Sequence, residues 1–174
     1  MQIRTLTSLS PTDIQQLSDV LIDCVEGGAS VSFMLPMHRT KAEAFWRNVA
    51  QGVARAERVV LVANDPDGTI VGTVQVILNL PENQPHRGDV AKMLVHRRAR
   101  RLGIGAALLA AAEKTALELG KTLLVLDTVT GSDAERMYMR EGWQRCGVIP
   151  DYALWPDGRP CATTVFFKKI AGGE

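Results

Sequence analysis

A mixed α/β fold in one domain is predicted by three observations. The chain has 174 residues, long enough for one hydrophobic core and short for two. Its apolar spacing alternates between the two-residue period of strands and the 3.6-residue period of helices. Between Val90 and Asp127 a strand, a glycine-opened helix and a second, nearly continuous apolar strand follow one another. That is the order of a parallel right-handed crossover.

Composition narrows function by exclusion. A hydrophobic fraction of 46% and a charged fraction of 22% are those of an ordinary globular domain. The net charge of +1 supplies no global field toward nucleic acid or a membrane, so any basic feature acts locally. Cys24, Cys146 and Cys161 are odd in number, far apart and without a C-x-x-C, and His38, His86 and His96 form no ligand spacing. No disulfide framework and no metal site are expected, and the cysteine usage fits a reducing compartment. The first residues carry no charged-then-apolar leader, and no apolar run reaches membrane-spanning length. Cytoplasmic residence without a membrane partner is the resulting expectation.

The elements follow in order. Ile3 to Thr7 alternate and predict a strand. Ser10-Pro11 reads as an N-cap followed by proline at the first helical position, with Asp13 in the first turn. Ile14, Leu17, Leu21 and Cys24 then extend a helix to about Glu26. Gly27-Gly28 breaks it, and the apolar stretch Val31 to Met37 has neither period. Thr40 reads as the cap of a second helix, with Ala44, Phe45, Val49 and Val53 as its stripe. Val59 to Ala63 and Ile70 to Leu80 form a hairpin about Asp65-Pro66-Asp67-Gly68, with Gly72, Val74, Val76 and Leu78 on one face. A polar connection from Pro81 to Arg87 leads to a strand from Val90 to His96. The helix from Gly103 stops at Gly120, and Thr122 to Asp127 is a strand of the kind buried on both faces. Ser132 caps a helix to Glu141, and Trp143 to Tyr152 and Thr163 to Lys169 complete the sheet. No linker or repeat divides the chain, so residues 1–174 are expected to form one domain.

The chemistry concentrates after the Val90 strand. His96-Arg97-Arg98-Ala99-Arg100-Arg101 is too short and too poor in aromatics for a nucleic-acid patch. Two readings remain open: a solvated surface, or an anion-binding loop. The neighbours suit the second, because first-turn N–H groups and the helix dipole favour an anion, and glycine permits close approach. The glycines match neither G-x-x-x-x-G-K-[ST] nor G-x-G-x-x-G.

The pattern Arg100-x-x-Gly103-x-Gly105 resembles the acetyl-coenzyme A signature of the GNAT N-acetyltransferases. Ser132 to Trp143, with Ala134, Tyr138 and Gly142-Trp143 at four-residue steps, is similar to that family's later motif. Gly27 to Met34, Leu126 to Thr128, P-D-G-R and the terminal strand F-F-K also look like tabtoxin-resistance acetyltransferases. The sequence departs from the family pattern at Arg97, often proline, and at Arg101, often glycine. A positive φ at Arg101 would cost energy.

The resemblance implies a mixed, mostly antiparallel sheet with helices on both faces and two splayed parallel strands. It implies acetyl transfer from acetyl-coenzyme A, with no metal, to a primary amine of a small amino acid-like, antibiotic-like or toxin-like molecule, in a ternary complex. The cofactor residues would be Met93, Leu94 and Val95 on the strand, Arg100, Arg101, Leu102, Gly103, Ile104, Gly105 and Ala106 at the turn, and Ser132. Tyr138 would be the general acid, and Asp89 or Asp127 the general base. Asp127, the loop Val31 to Met37 and the late hairpin around Tyr152 would border the acceptor, with Phe33, Met34, Trp46 and Tyr152 either packed on it or simply in the core. The expected assembly is a monomer or homodimer without nucleic acid. A non-catalytic acyl-coenzyme A sensor on the same fold is the competing expectation, and Tyr138 with two aspartates favours the enzyme.

Overall fold

A computed structural model describes residues 1–170. Seven strands form one sheet in the order β1-β2-β3-β4-β5-β7-β6. The strands are β1 (Gln2–Leu6), β2 (Arg58–Asn64), β3 (Ile70–Ile77), β4 (Arg87–Val95), β5 (Leu123–Val129), β6 (Gln144–Leu154) and β7 (Pro160–Lys169). Only β4 and β5 run parallel. The helices are α1 (Pro11–Glu26), α2 (Arg39–Ala54), α3 (Ile104–Glu118) and α4 (Asp133–Arg140). The crossover from β4 through α3 to β5 is the one the sequence predicts.

Strand alternation sends side chains to two cores. Gly72, Val74 and Val76 face α3, and a Cβ on Gly72 would meet Ile104 and Leu108 at 3.1 Å. Leu108, Leu109, Leu124, Leu126 and Phe166 complete this core, and α4 adds Tyr138. On the opposite face Val60, Val62 and Leu94 pack with Leu17 and Leu21 of α1 and Trp46 of α2. Each fully buried Leu, Val or Phe side chain contributes about 1.5–3 kcal/mol. Trp46, fully buried, therefore belongs to this core and does not border an acceptor.

The boundaries depart from sequence expectation where local chemistry competes with apolar pattern. β4 starts at Arg87 rather than Val90, because Arg87 and Asp89 share a strand face and pair with each other. β3 ends at Ile77, short of Leu80. His38, not Thr40, is the N-cap of α2, and its side chain makes no capping bond. Pro160 is the first residue of β7, a place where its missing N–H is tolerated.

Two features open the middle of the sheet. The β4–β5 pairing covers only Arg87↔Leu123, Gly88↔Leu124 and Asp89↔Val125, after which the strands part. A bulge sits in β4 between the pairs Thr73↔Leu94 and Gln75↔Ala91, with Lys92 at φ 51°. Beyond Asp89, the β5-facing edge of β4 therefore has no strand partner for its backbone groups.

Candidate active site

The end of β4 leads through a 3₁₀ turn (Arg97–Ala99) into the start of α3. Gly103 is the N-cap of α3 in the left-handed region, φ 76° and ψ 5°, and no side chain caps the helix. Its first turn carries no acidic residue. The backbone N–H groups there thus lack both an internal partner and a side-chain partner, beside the positive end of the dipole. A Cβ on Gly103 would meet nothing within 4 Å, so this glycine is required by its φ and not by crowding. Gly105 has a different reason: a Cβ there would come within 2.9 Å of Met137 Sδ, so it lets α4 approach α3. Arg101 does adopt a positive φ of 63°, the strain expected of a non-glycine residue there.

The basic run divides. Arg97 Nε donates to Asp23 Oδ1 at 2.9 Å and its backbone N–H to Oδ2 at 2.7 Å. Arg98 Nη2 donates to Asp65 Oδ2 at 3.0 Å. These two arginines tie the turn to α1 and to the β2–β3 turn. Arg100 turns back to the Val95 carbonyl, 3.2 Å from its Nε. Neither Arg100 nor Arg101 is within ion-pair distance of a carboxylate among the described residues. The unpaired positive charge is therefore next to the uncapped helix start. Leu102 is 70% exposed between them, while Ile104 is buried.

The gap between β4 and β5 gathers the proposed acid–base residues. Asp89 and Val125 are partners, so Asp127, two residues on, faces the same side of the sheet as Asp89. Burial, opposed by the Arg87 charge and reinforced by that of Asp127, raises the Asp89 carboxyl above its usual 3.8. Asp127 is exposed, and the Thr163 hydroxyl lies 3.1 Å from its Oδ2. Tyr138 is buried with its ring 5.9 Å from that of Trp143 and 6.0 Å from that of Phe166. Burial and the Asp127 charge push its phenol well above the ordinary value of 10.0, so it stays protonated at neutral pH. Its hydroxyl makes no hydrogen bond among the described residues. Asp127 is the shared element: its charge reaches Asp89, Lys92 and Tyr138.

Other candidates take mainly structural places. Ser132 caps α4, accepting from the Glu135 N–H at 3.1 Å. The buried Glu135 in turn accepts from Thr164 Oγ1 at 2.7 Å and from the Gly131 N–H. Phe33 packs edge-on against Phe45 at 5.2 Å, while Met34 and Tyr152 are 38% and 55% exposed. The α1–α2 loop docks on the β6–β7 end, with Ser30 Oγ donating to the Leu154 carbonyl at 2.7 Å and Leu35 N–H to that of Pro156 at 3.1 Å. Sequence reasoning missed Lys92, although a lone lysine inside V-A-K-M-L-V was a visible signal. It missed Arg58 and Gln75 as well. No metal-holding cluster and no helix long and apolar enough to cross a membrane occur among the described residues.

The comparisons with known proteins agree with this geometry. The acetyltransferase (GNAT) family profile matches residues 29–143. The chain is 28% identical over 127 residues to an N-acetyltransferase of Azospirillum brasilense described as uncharacterized and encoded in the hisH–hisA intergenic region, covering 72% of this chain and 73% of that one. Among solved structures it is similar to a ribosomal-protein-alanine N-acetyltransferase from Brucella melitensis, with TM-score 0.79, 23% identity and coverage of 97% and 99%. It is also similar to an aminoglycoside 6'-N-acetyltransferase complexed with coenzyme A, with TM-score 0.73, 18% identity and coverage of 100% and 99%. An uncapped, glycine-started helix beside parted parallel strands fits a ligand that pairs a pyrophosphate with an extended arm. The chain belongs to the GNAT family and is an acetyl-coenzyme A-dependent N-acetyltransferase.

Proposed function

We propose that this enzyme acetylates a primary amine of a small molecule by direct attack within a ternary complex. The observation that carries this reading is the parting of β4 and β5 after Asp89, with the uncapped start of α3 at one end and two carboxylates along it. The Gly103–Ala106 N–H groups with Arg100 and Arg101 would hold the pyrophosphate. The open edge of β4 near Met93 and Leu94 would receive the acetyl arm.

Asp127 holds the incoming ammonium, and Asp89, whose carboxyl burial raises above its ordinary value, takes its proton directly or through water. The amine nitrogen then attacks the thioester carbonyl, whose oxygen is stabilised by a backbone N–H of β4 near Met93 or Leu94. The C–S bond breaks, Tyr138, held neutral by burial, gives its proton to the departing thiolate, and the second proton of the attacking nitrogen passes through water to the Tyr138 phenolate, leaving the neutral amide. A covalent acyl-cysteine is disfavoured for Cys24, whose thiol burial makes harder to ionise.

Thiol release from acetyl-coenzyme A in the presence of a panel of primary amines tests the reading. Turnover with at least one amine is expected. Tyr138→Phe should lower kcat by about a hundredfold, the lower range for a lost acid–base group, with acetyl-coenzyme A affinity kept within about twofold. Absence of thiol release with every amine, despite bound acetyl-coenzyme A, would overturn the proposal.

A further inference from the structure

The sheet face beneath α1 and α2 carries cationic and donor groups that the transfer step does not use. Lys92 leaves β4 at the bulge, and its Nζ lies 3.0 Å from Ser32 Oγ and 5.8 Å from the centroid of the Phe45 ring. No carboxylate among the described residues is within 4.0 Å of it. Burial holds its ammonium below the usual 10.5, with the Asp127 charge opposing the shift and the Arg58 charge adding to it. Lys92 therefore senses both charges.

Arg58 lies on the same face, since Arg58 pairs with Ile77 and Ile77 with Asp89. A Cβ at Gly52 would stand 2.6 Å from Arg58 Nε, so α2 uses glycine there to admit the guanidinium. Arg58 Nη1 donates to Gln75 Oε1 at 3.0 Å, which uses the amide oxygen and leaves the amide nitrogen of Gln75 without that partner. Arg58 Nε and Gln75 Nε2 are buried and have no acceptor, and neither does Trp46 Nε1 on the covering helix. Gln75 is 1% exposed and Trp46 0%. Buried donors without acceptors are costly, and here they accumulate beside an unpaired ammonium.

We propose that Lys92, backed by the unpartnered donors of Arg58 and Gln75, forms a subsite for a carboxylate carried by the acceptor. The enzyme then selects amino acid-type amines over plain amines. This rests on the acetyl-transfer reading above. With Asp89 held by Arg87, this face presents the anion Asp127 on one side and the cations Lys92 and Arg58 on the other, the complement of a zwitterion. The ammonium of such an acceptor faces the carboxylates, and its carboxylate faces Lys92. A charge-assisted hydrogen bond to a partly desolvated ammonium is also among the stronger polar contacts available for discrimination.

The test uses matched pairs, each an amino acid against the decarboxylated amine of the same chain and against its methyl ester. Thiol release and calorimetric titration into the coenzyme A-loaded protein are measured on every pair. The carboxylate member should have a kcat/KM about tenfold or more above its partners, from a lower KM, as a lost charge-assisted bond implies. Lys92→Met should bring the ratio within a pair close to one, and Lys92→Arg should restore part of it. Turnover without carboxylate preference, or a preference that survives Lys92→Met, overturns the subsite and leaves acetyl transfer standing. Carboxylate-dependent binding without any turnover supports the subsite and sinks the transfer reading. Neither binding nor turnover overturns both.

Discussion

The starts of α1 and α3 are built from opposite instructions. At α1, Ser10 Oγ accepts from the Asp13 N–H at 3.1 Å, Asp13 accepts from the Ser10 N–H at 2.9 Å, and Pro11 occupies the first turn. Arg4 then reaches the same aspartate at 2.9 Å. The Ser10 and Asp13 N–H groups both have side-chain acceptors. At α3 the cap is a left-handed glycine, no side chain bonds the first turn, and two unpaired arginines stand beside it. One start is closed by its own side chains; the other leaves its first-turn N–H groups without a side-chain partner. The lesson is that an omitted cap is informative when the same chain shows how it caps a helix elsewhere.

The largest effect should come from making α3 resemble α1. Gly103→Asp places an anion and a potential cap where the pyrophosphate is to sit, against the left-handed backbone. Acetyl-coenzyme A affinity should fall by more than about tenfold, since a charged hydrogen bond alone represents roughly 1.5–3 kcal/mol. Isothermal titration measures it, and unchanged affinity would place the seat elsewhere. Ser10→Ala is the converse change. It should cost about 1 kcal/mol of stability, a fall of about 2–4 °C in Tm for a chain of this size, and leave acetyl-coenzyme A binding alone. Arg101→Gly should have the smallest effect on stability, a gain of under about 1 kcal/mol from relief of the positive φ. It should weaken cofactor binding and flatten its salt dependence.

The carboxyl shifts at the α1 start and in the β4–β5 gap differ in sign. Burial works to raise the Asp13 carboxyl, but the Ser10 bonds and Arg4 outweigh it and hold the group below its usual 3.8. Its stabilisation is complete above that value and is lost as pH falls through the lower, folded-state value. Asp89 is raised, chiefly by burial. Its deprotonation, and with it kcat/KM, should therefore rise with pH over a window above the ordinary 3.8. Asp89→Asn should remove that limb from the pH–rate profile.

Much of this was legible in the sequence. Ser10-Pro11 with Asp13 dictates a helix start by local chemistry alone, and Thr122 to Asp127 announces a strand, although only Leu124 and Leu126 on one of its faces are fully buried while Leu123 and Val125 are half-buried. Arg100-x-x-Gly103-x-Gly105 predicts a glycine-opened helix, which α3 is, and the positive φ at Arg101 followed from the family's glycine there. The rest depends on contacts between residues distant in the chain. Asp23 and Asp65 claim Arg97 and Arg98, which no local pattern reveals. Met137 explains Gly105, and Arg58 explains Gly52. The bulge that redirects Lys92 arises from a register shift against β3, invisible without the partner strand.

The most direct test of the open seat is a backbone amide spectrum recorded with and without coenzyme A. The account predicts that the Gly103, Ile104, Gly105 and Ala106 resonances shift and gain exchange protection, while those of Thr12 and Asp13 stay unchanged. Unchanged α3 amides under saturating coenzyme A would contradict it.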